Sequence, residues 1–264
     1  MPMKIPHIKP FGIAAQTDEE PLAERELISI EGKTETATAK ARPDAVGFVL
    51  AGGQSSRMGE DKALVRFAGR PLVERALEIL RAAGLEASIA GARSGFASSE
   101  LATSMLATFA PVVEDEVPGL GPLGGICAAL VSMTARWAVF LPVDLPLLPA
   151  TPIEFLLDHA RITGRAVTLA SVNGFAQSFP AVLDRVVLPA LERELEAGRG
   201  GCFAGFQAAS AQLNQPVSIV AVEMLVQAGR IEHPDGLPAS RWFLNVNRPA
   251  DLWRAEACFT GRIA

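Results

Sequence analysis

Cysteine and histidine are scarce in this sequence of 264 residues, and their scarcity excludes several kinds of site. The three cysteines, Cys127, Cys202 and Cys258, form no CxxC pair, which argues against a disulfide framework and against a structural zinc site. The three histidines are far apart in the sequence, so a histidine metal centre or a catalytic triad has few candidates. We therefore expect buried, reduced thiols in a cytoplasmic protein.

Long hydrophobic runs and a strong charge of one sign are also missing. No apolar stretch reaches the about 20 residues that a membrane-spanning helix needs, and prolines interrupt the N-terminal MPMKIPHIKPFG, where a signal peptide would be continuously apolar. The formal net charge of −5 gives no reason to expect nucleic-acid binding. With 49% hydrophobic and 20% charged residues, the composition is that of a soluble globular protein.

The chain divides into two parts by composition. Residues 1–44 are polar and charged with little to bury, so we expect an N-terminal extension that is flexible or loosely docked. Residues 45–264 alternate apolar, strand-like runs with helix-like segments, which predicts one domain. The predicted strands are 46–51, 86–92, 110–116, 137–144, 166–171, 179–183, 216–222 and 242–246.

The predicted helices lie between these strands, at 71–84, 122–135, 151–160, 186–196 and 249–257. In the first helix Leu72, Ala76, Ile79 and Leu80 share one apolar face, and Thr151 to Glu154 have the spacing of a capping box. Alternating strands and helices predict an α/β fold, namely a single Rossmann-like three-layer α/β/α domain with a mostly parallel sheet. Ligands of such sheets bind beyond the carboxyl ends of the strands.

The first strand ends in the loop VLAGGQSSRMGEDKAL, residues 49–64, which has the ingredients of an anion site. It matches neither the P-loop pattern GxxxxGK[ST] nor the dinucleotide pattern GxGxxG. Gly52 and Gly53 allow backbone N–H groups to approach oxygens closely, and the Ser55 hydroxyl adds a donor. Arg57 offers a planar fork for phosphate and Lys62 a compact positive charge. The alternative is a solvated turn.

Two further strand ends carry oxygen ligands. Asp144 follows a mainly apolar run, where a carboxylate is costly unless it caps a turn, pairs with a charge or binds a metal such as Mg²⁺. Asn245 and Asn247 follow the last predicted strand, and Asn247 precedes a helix that it could cap. Its amide oxygen could instead complete a metal site with Asp144.

The glycine-rich PGLGPLGGI, residues 118–126, would let a flat ring or a ribose lie against backbone, or is a plain loop before a helix.

Together these motifs resemble the nucleotidyltransferases with a nucleotide-diphospho-sugar-transferase fold, above all the molybdenum-cofactor guanylyltransferases. The family pattern LAGGxSxRMGxDKAL is matched by Leu50 to Leu64 and GPLxGI by Gly121 to Ile126. The strand-end aspartate is matched by Asp144, and NVNxPxDL by Asn245 to Leu252. The resemblance covers the chain from about residue 46 to the final helix and omits the N-terminal extension.

The resemblance implies a GTP pocket and bound Mg²⁺. Its catalytic residues would be Arg57, Lys62 and Asp144, and its metal ligands Asp144 and Asn247. The implied nucleotide-binding residues are Leu50, Ala51, Gly52, Gly53, Ser55, Arg57, Lys62, Asp115, Gly121, Pro122, Leu123, Gly124 and Asp144. The Gly52-Gly53 pair favours the guanylyl branch, because related cytidylyltransferases more often have Ala-Gly there.

The implied reaction transfers GMP from GTP to the phosphate of molybdopterin or the molybdenum cofactor and releases pyrophosphate. Partners would be the nucleotide and the pterin, with molybdoenzymes or cofactor-insertion proteins as further candidates, but neither nucleic acid nor a membrane. Three alternatives stay open: a cytidylyltransferase for the same cofactor, a sugar-phosphate nucleotidyltransferase, and a non-catalytic nucleotide-binding adaptor for molybdoenzyme maturation. Three segments depart from the family pattern. Residues 90–93 lack its asparagines, and residues 177–180, Gln-Ser-Phe-Pro, stand where relatives have His-Pro or Gln-Pro. Residues 208–240 are longer than usual and lie in the half that is expected to receive the acceptor.

Overall fold

The computed structural model describes residues 41–51, 61–92, 103–115 and 120–261, so most of the predicted extension, residues 1–40, lies outside the described residues. The strands are β1 Ala45–Leu50, β2 Arg66–Phe67, β3 Arg70–Pro71, β4 Glu86–Ala92, β5 Val112–Glu114, β6 Trp137–Pro142, β7 Val167–Val172, β8 Phe175–Asp184 and β9 Ser218–Ala221. The α-helices whose bounds are defined within these residues are α1 Leu72–Ala82, α2 Gly121–Ser132, α3 Ala150–Thr163, α4 Leu188–Glu196, α5 Cys202–Gln212, α6 Val222–Gln227, α7 Ala239–Trp242 and α8 Pro249–Phe259. None of these helices is both long enough and apolar enough to cross a membrane.

Seven of the strands form one sheet in the order β5-β4-β1-β6-β8-β7-β9. The neighbouring strands are parallel except at β8, which runs antiparallel to both β6 and β7. The predicted mostly parallel sheet is therefore confirmed. β1 lies between β4, which follows it in the chain, and β6, which comes later, so the strand order switches between β1 and β6. Open α/β sheets bind their ligands at such a switch point.

Helices cover both faces of the sheet and give the predicted three layers. Along β1, Val49 belongs to one buried cluster, whereas Phe48 and Leu50 belong to the other, as the two-residue period of a strand requires. Buried side chains of α1, α3 and α8 pack in the first cluster, and those of α2, α4 and α5 in the second.

The predicted apolar face of α1 is confirmed. Leu72 and Leu80 are fully buried, and Ala76 and Ile79 are at most 4% exposed. Pro71 immediately precedes the helix, where its missing N–H costs no hydrogen bond. The amphipathic pattern alone was sufficient here, because one face of this helix packs on the sheet.

The predicted capping box of α3 is wrong. The helix begins at Ala150, with Pro149 as its N-cap residue, and runs to Thr163. The Thr151 hydroxyl donates instead to the carbonyl of Glu232, 2.8 Å away. The helix ends where Gly164 adopts a φ of +65°, a conformation that glycine reaches at no steric cost.

The predicted strand at 242–246 is also wrong. Ala239–Trp242 is the short helix α7, and the next four residues are irregular. The Trp242 indole N–H donates to the Leu237 carbonyl at 2.7 Å, which turns the chain locally. The backbone N–H of Val246 donates to the carbonyl of Asp144 at 2.9 Å. Trp242, Phe243 and Val246 are buried, which accounts for the apolar run. The segment meets the chain just after β6 through this one backbone bond rather than through a strand ladder.

Candidate active site

A pocket of about 340 Å³ opens at the carboxyl ends of β1 and β6, the switch point of the sheet. Leu50 and Pro142, the last residues of these strands, are partners in the parallel ladder. We call this cavity the strand-end pocket. It is lined by Leu50, Lys62, Pro122, Pro142, Val143, Asp144, Leu145, Gln177, Ser178, Phe179 and Asn245.

Three of the predicted site residues converge beside this pocket. The Lys62 ammonium donates to Asp144 Oδ2 at 2.8 Å and to Asn247 Oδ1 at 2.6 Å. The side chains of Lys62 and Asp144 are 18% and 19% exposed, so their ion pair is largely shielded from water. Asp144 and Asn247, which lie 82 and 185 positions after Lys62 in the sequence, thus share the Lys62 ammonium.

Short local contacts hold each member of this group in place. Asp61 caps the short 3₁₀ turn Lys62–Leu64 by accepting from the Ala63 N–H at 2.9 Å. Val246, next to Asn247, is tied to the Asp144 carbonyl by the backbone bond described above. The N-cap residue of α8 is Arg248, so Asn247 does not cap that helix, and its side-chain oxygen is used by Lys62.

The donor set suits a hard divalent cation. Asp144 Oδ1 is buried without a hydrogen-bond partner, although buried carboxylate oxygens are normally paired. Asp144 and Asn247 together offer carboxylate and amide oxygens, the ligand types that Mg²⁺ binds alongside substrate phosphates. The described residues contain no group of three or more His, Cys, Asp or Glu that could hold a metal. A magnesium site completed by phosphate oxygens does not require one.

A second cavity, of about 470 Å³, lies between β5, α2 and α4, and we call it the Asp115 pocket. Asp115 and Gly124 both line it, and Asp115 Oδ1 is buried without a partner. Burial raises the pKa of the Asp115 carboxyl. A Cβ added at Gly125 would lie 2.9 Å from the Cα of Gly91 and 3.3 Å from Asp115 Oδ1, so glycine allows α2 to approach both β4 and this carboxylate.

The predicted nucleotide-binding residues divide between these two cavities. Leu50, Lys62, Pro122 and Asp144 line the strand-end pocket, whereas Asp115 and Gly124 line the Asp115 pocket. The first turn of α2 borders both, through Pro122 and Gly124. Ala51 follows β1 directly, and Gly121 begins α2, whereas the Leu123 side chain is fully buried in the core. The remaining predicted residues, Gly52, Gly53, Ser55 and Arg57, lie outside the described residues.

The strand-end pocket is also lined by residues for which the sequence analysis predicts no role. Gln177, Ser178 and Phe179 of β8 line it, together with Asn245. The only signal for the β8 residues was their departure from the His-Pro or Gln-Pro of the family pattern. Their position depends on the antiparallel pairing of β8 with β6, which brings them beside Asp144.

The cysteines and the described histidines take no part in the strand-end pocket. Cys127 and Cys258 are buried, and all three cysteines are free. Burial raises the pKa of Cys127 to about 12 and that of Cys202 to about 11, so both stay protonated thiols at neutral pH. His159 contacts the Ser218 hydroxyl, and His233 contacts the Leu147 carbonyl.

Comparisons of the sequence and of the fold with known proteins point to the same family. Residues 47–220 match the family described as the MobA-like NTP transferase domain. A molybdenum cofactor guanylyltransferase of Vibrio atlanticus is 30% identical over 206 residues, 77% of this chain and 91% of that protein. A protein of the same name from Xanthomonas euvesicatoria is 41% identical over 113 residues, 42% of this chain and 52% of that protein, so the matched segment spans about half its length.

The fold agrees with this result. The crystal structure of molybdopterin-guanine dinucleotide biosynthesis protein A from Archaeoglobus fulgidus superposes with a TM-score of 0.64 at 22% identity. The match covers 81% of this chain and 98% of that one. With the family match over 47–220 and the relative from Vibrio, the chain belongs to the MobA-like NTP transferases, a family of nucleotidyltransferases.

Proposed function

We propose that the protein transfers GMP from GTP to the phosphate of molybdopterin or the molybdenum cofactor and releases pyrophosphate. The observation that carries this proposal is the convergence of Lys62, Asp144 and Asn247 at the switch point of the sheet. A cation and two oxygen ligands meet there at the mouth of a pocket, which is the arrangement that a metal-bound triphosphate needs. The names of the relatives support the acceptor and the nucleotide.

In the proposed reaction, a phosphate oxygen of the acceptor attacks the α-phosphorus of GTP. A new oxygen–phosphorus bond forms, the bond from the α-phosphorus to the α,β-bridging oxygen breaks, and pyrophosphate leaves with that electron pair. The nucleophile is already an anion, so no general base is required. Catalysis then consists of positioning and charge neutralisation, in which Lys62 and Arg57 stabilise the charge that develops on the pyrophosphate.

Asp144 and Asn247 are the residues that would hold Mg²⁺ in this proposal. The metal would supply positive charge to the phosphate oxygens and so make the α-phosphorus more electrophilic. Asp144 Oδ2 and Asn247 Oδ1 already converge on one cation, the Lys62 ammonium, and Asp144 Oδ1 has no hydrogen-bond partner. We place the reaction in the cytoplasm, in accordance with the three free cysteines.

We further propose that Asp115 selects guanine. A carboxylate only accepts hydrogen bonds, and guanine presents two adjacent donors, N1–H and the N2 amino group, on one edge. Asp115 Oδ1 is buried without a partner, so these donors would repay its desolvation. Pro122 and Gly124, in the first turn of α2, border the two cavities, and the nucleotide would lie across this turn.

The experiment that tests the proposed function is a nucleotide-by-acceptor assay. Pyrophosphate release is measured with Mg²⁺ and each of GTP, CTP, ATP and UTP, with molybdopterin or a sugar phosphate as acceptor. We expect turnover with GTP and molybdopterin only. A preference for CTP would identify a cytidylyltransferase, turnover with a sugar phosphate would identify a different acceptor class, and GTP binding without turnover would favour an adaptor.

A further inference from the structure

In the ligand-free chain, Lys62 stands where the proposed metal ion would bind. Its Nζ lies 2.8 Å from Asp144 Oδ2 and 2.6 Å from Asn247 Oδ1, so both oxygen ligands already point at one positive charge. The contacts are short and largely shielded, since the Lys62 side chain is 18% exposed. The cation site of this protein is therefore filled by a residue of its own chain.

This arrangement has an electrostatic consequence. The ammonium neutralises Asp144, so the pair itself offers no net negative charge to a divalent cation. A divalent cation bound to the same two oxygens would lie within a few Å of the ammonium, and like charges at that separation repel strongly when water is partly excluded. The metal can bind only after Lys62 has moved away.

A triphosphate can move it. Lys62 belongs to the predicted anion-binding loop, residues 49–64, and it lines the strand-end pocket as well as contacting Asp144. A triphosphate carries more negative charge than one carboxylate, and its oxygens accept from an ammonium with comparable geometry. When Lys62 turns to the triphosphate, Asp144 and Asn247 are released together.

We propose that Lys62 is an internal substitute for the metal ion, which keeps divalent cations out of the Asp144–Asn247 site until nucleotide draws the ammonium away. This inference rests on the proposed function, because it assumes that the site receives a metal-bound nucleotide. Metal and nucleotide then strengthen each other's binding, since thermodynamic linkage is reciprocal. Futile binding of a bare metal ion is avoided by the same residue that later neutralises the phosphates.

The test measures metal binding without nucleotide or acceptor. Mn²⁺ serves as the probe, and the electron paramagnetic resonance signal of free Mn²⁺ reports binding to the purified full chain. Lys62→Gln removes the charge but keeps an N–H donor for Asp144 or Asn247. We expect this variant to bind Mn²⁺ about tenfold more tightly than the unmodified protein, a typical coupling between sites. Asp144→Asn in the same chain should abolish the gain.

Two further variants separate charge from structure. Lys62→Arg keeps a cation beside Asp144, so its Mn²⁺ affinity should stay as low as that of the unmodified protein. Arg254→Met removes an exposed positive charge from α8 and should change the affinity little. Circular dichroism checks that each variant is folded. If the glutamine variant is not, the proposal is still overturned by a folded Lys62→Arg variant that binds Mn²⁺ clearly more tightly than the unmodified protein.

The proposal is overturned if Lys62→Gln binds Mn²⁺ no more tightly than the unmodified protein, or if Lys62→Arg binds it as tightly as Lys62→Gln. Tight Mn²⁺ binding by the unmodified protein without nucleotide would also overturn it. None of these outcomes depends on turnover. Failure of the nucleotide-by-acceptor assay would reject the proposed function and leave the competition between Lys62 and the metal measurable on its own.

Discussion

The ion pair between Lys62 and Asp144 should contribute measurably to the stability of the ligand-free protein. Four proteins form a double-mutant cycle: the unmodified chain, Lys62→Met, Asp144→Asn and the double variant. Each single substitution removes one charge of the pair, and the cycle subtracts the other effects of each change. The contact of Lys62 with Asn247 is available in both proteins that retain the lysine, so the cycle subtracts it.

The expected magnitude follows from the distance and the burial of the pair. Two unit charges 2.8 Å apart attract by about 6 kcal/mol at an effective dielectric constant of about 20. Desolvation offsets much of this, so losing one partner of a buried pair costs about 3–5 kcal/mol, whereas exposed pairs contribute about 0–1 kcal/mol. With both side chains about one-fifth exposed, we expect a coupling free energy of about 2 kcal/mol.

The assay is urea unfolding in the presence of a chelator, followed by the fluorescence of the buried tryptophans, Trp137 and Trp242. The chelator matters because a metal bound to the Lys62→Met protein would take the place of the missing ammonium and hide the coupling. A coupling free energy below about 0.5 kcal/mol would refute the reasoning, since distant, independent sites add to within that error. Such a low coupling free energy would mean that water separates the Lys62 ammonium from the Asp144 carboxylate in solution.

Other predictions address catalysis, selectivity and packing. Asp144→Ala should lower kcat about 10²–10³-fold in a pyrophosphate-release assay, as removal of one electrostatic stabiliser does, and near-normal turnover would remove Asp144 from the proposed site. Asp115→Asn should lower the preference for GTP over CTP, measured as the ratio of their kcat/KM values, and an unchanged ratio would reject Asp115 as the selector of guanine. Burial raises the pKa of Asp115, so the folded state of the unmodified protein should lose stability as the pH rises from the ordinary pKa of an aspartate through that raised value. Urea unfolding of Asp115→Asn at the same pH values should show a smaller loss of stability. Gly125→Ala should destabilise the fold by about 1–3 kcal/mol in urea unfolding, since its Cβ would meet the Gly91 backbone, whereas Gly201→Ala, with nothing within 4 Å, should cost less; equal losses would contradict the packing argument.

Local patterns were reliable wherever one physical cause decided the outcome. The buried face of α1 follows from the spacing of its apolar residues, and the parallel sheet follows from the alternation of strands and helices. Patterns failed where two causes compete. The apolar run at 242–246 is equally compatible with a buried strand and with an irregular buried segment, and the indole bond of Trp242 with Leu237 decides for the second.

The candidate site shows the same division. Sequence motifs alone singled out Lys62, Asp144 and Asn247, because charged and amide side chains after apolar strands need a reason to be there. They could not reveal that Lys62 bridges the other two, since that contact joins residues up to 185 positions apart. Nor could they place Gln177 and Ser178, whose position in the pocket is fixed by an antiparallel strand between parallel neighbours.

What the sequence determined by itself is the chemistry available to this protein: a loop with glycine, hydroxyl and cationic groups, a strand-end carboxylate and an amide oxygen, within an α/β fold. What only the tertiary structure decided is which of these groups touch. Side-chain chemistry is a local property of the residue, whereas the distance between Lys62 and Asp144 depends on strand order, on the turn that Asp61 caps and on the backbone bond from Val246. The position of the ammonium between Asp144 and Asn247 is therefore a property of the fold.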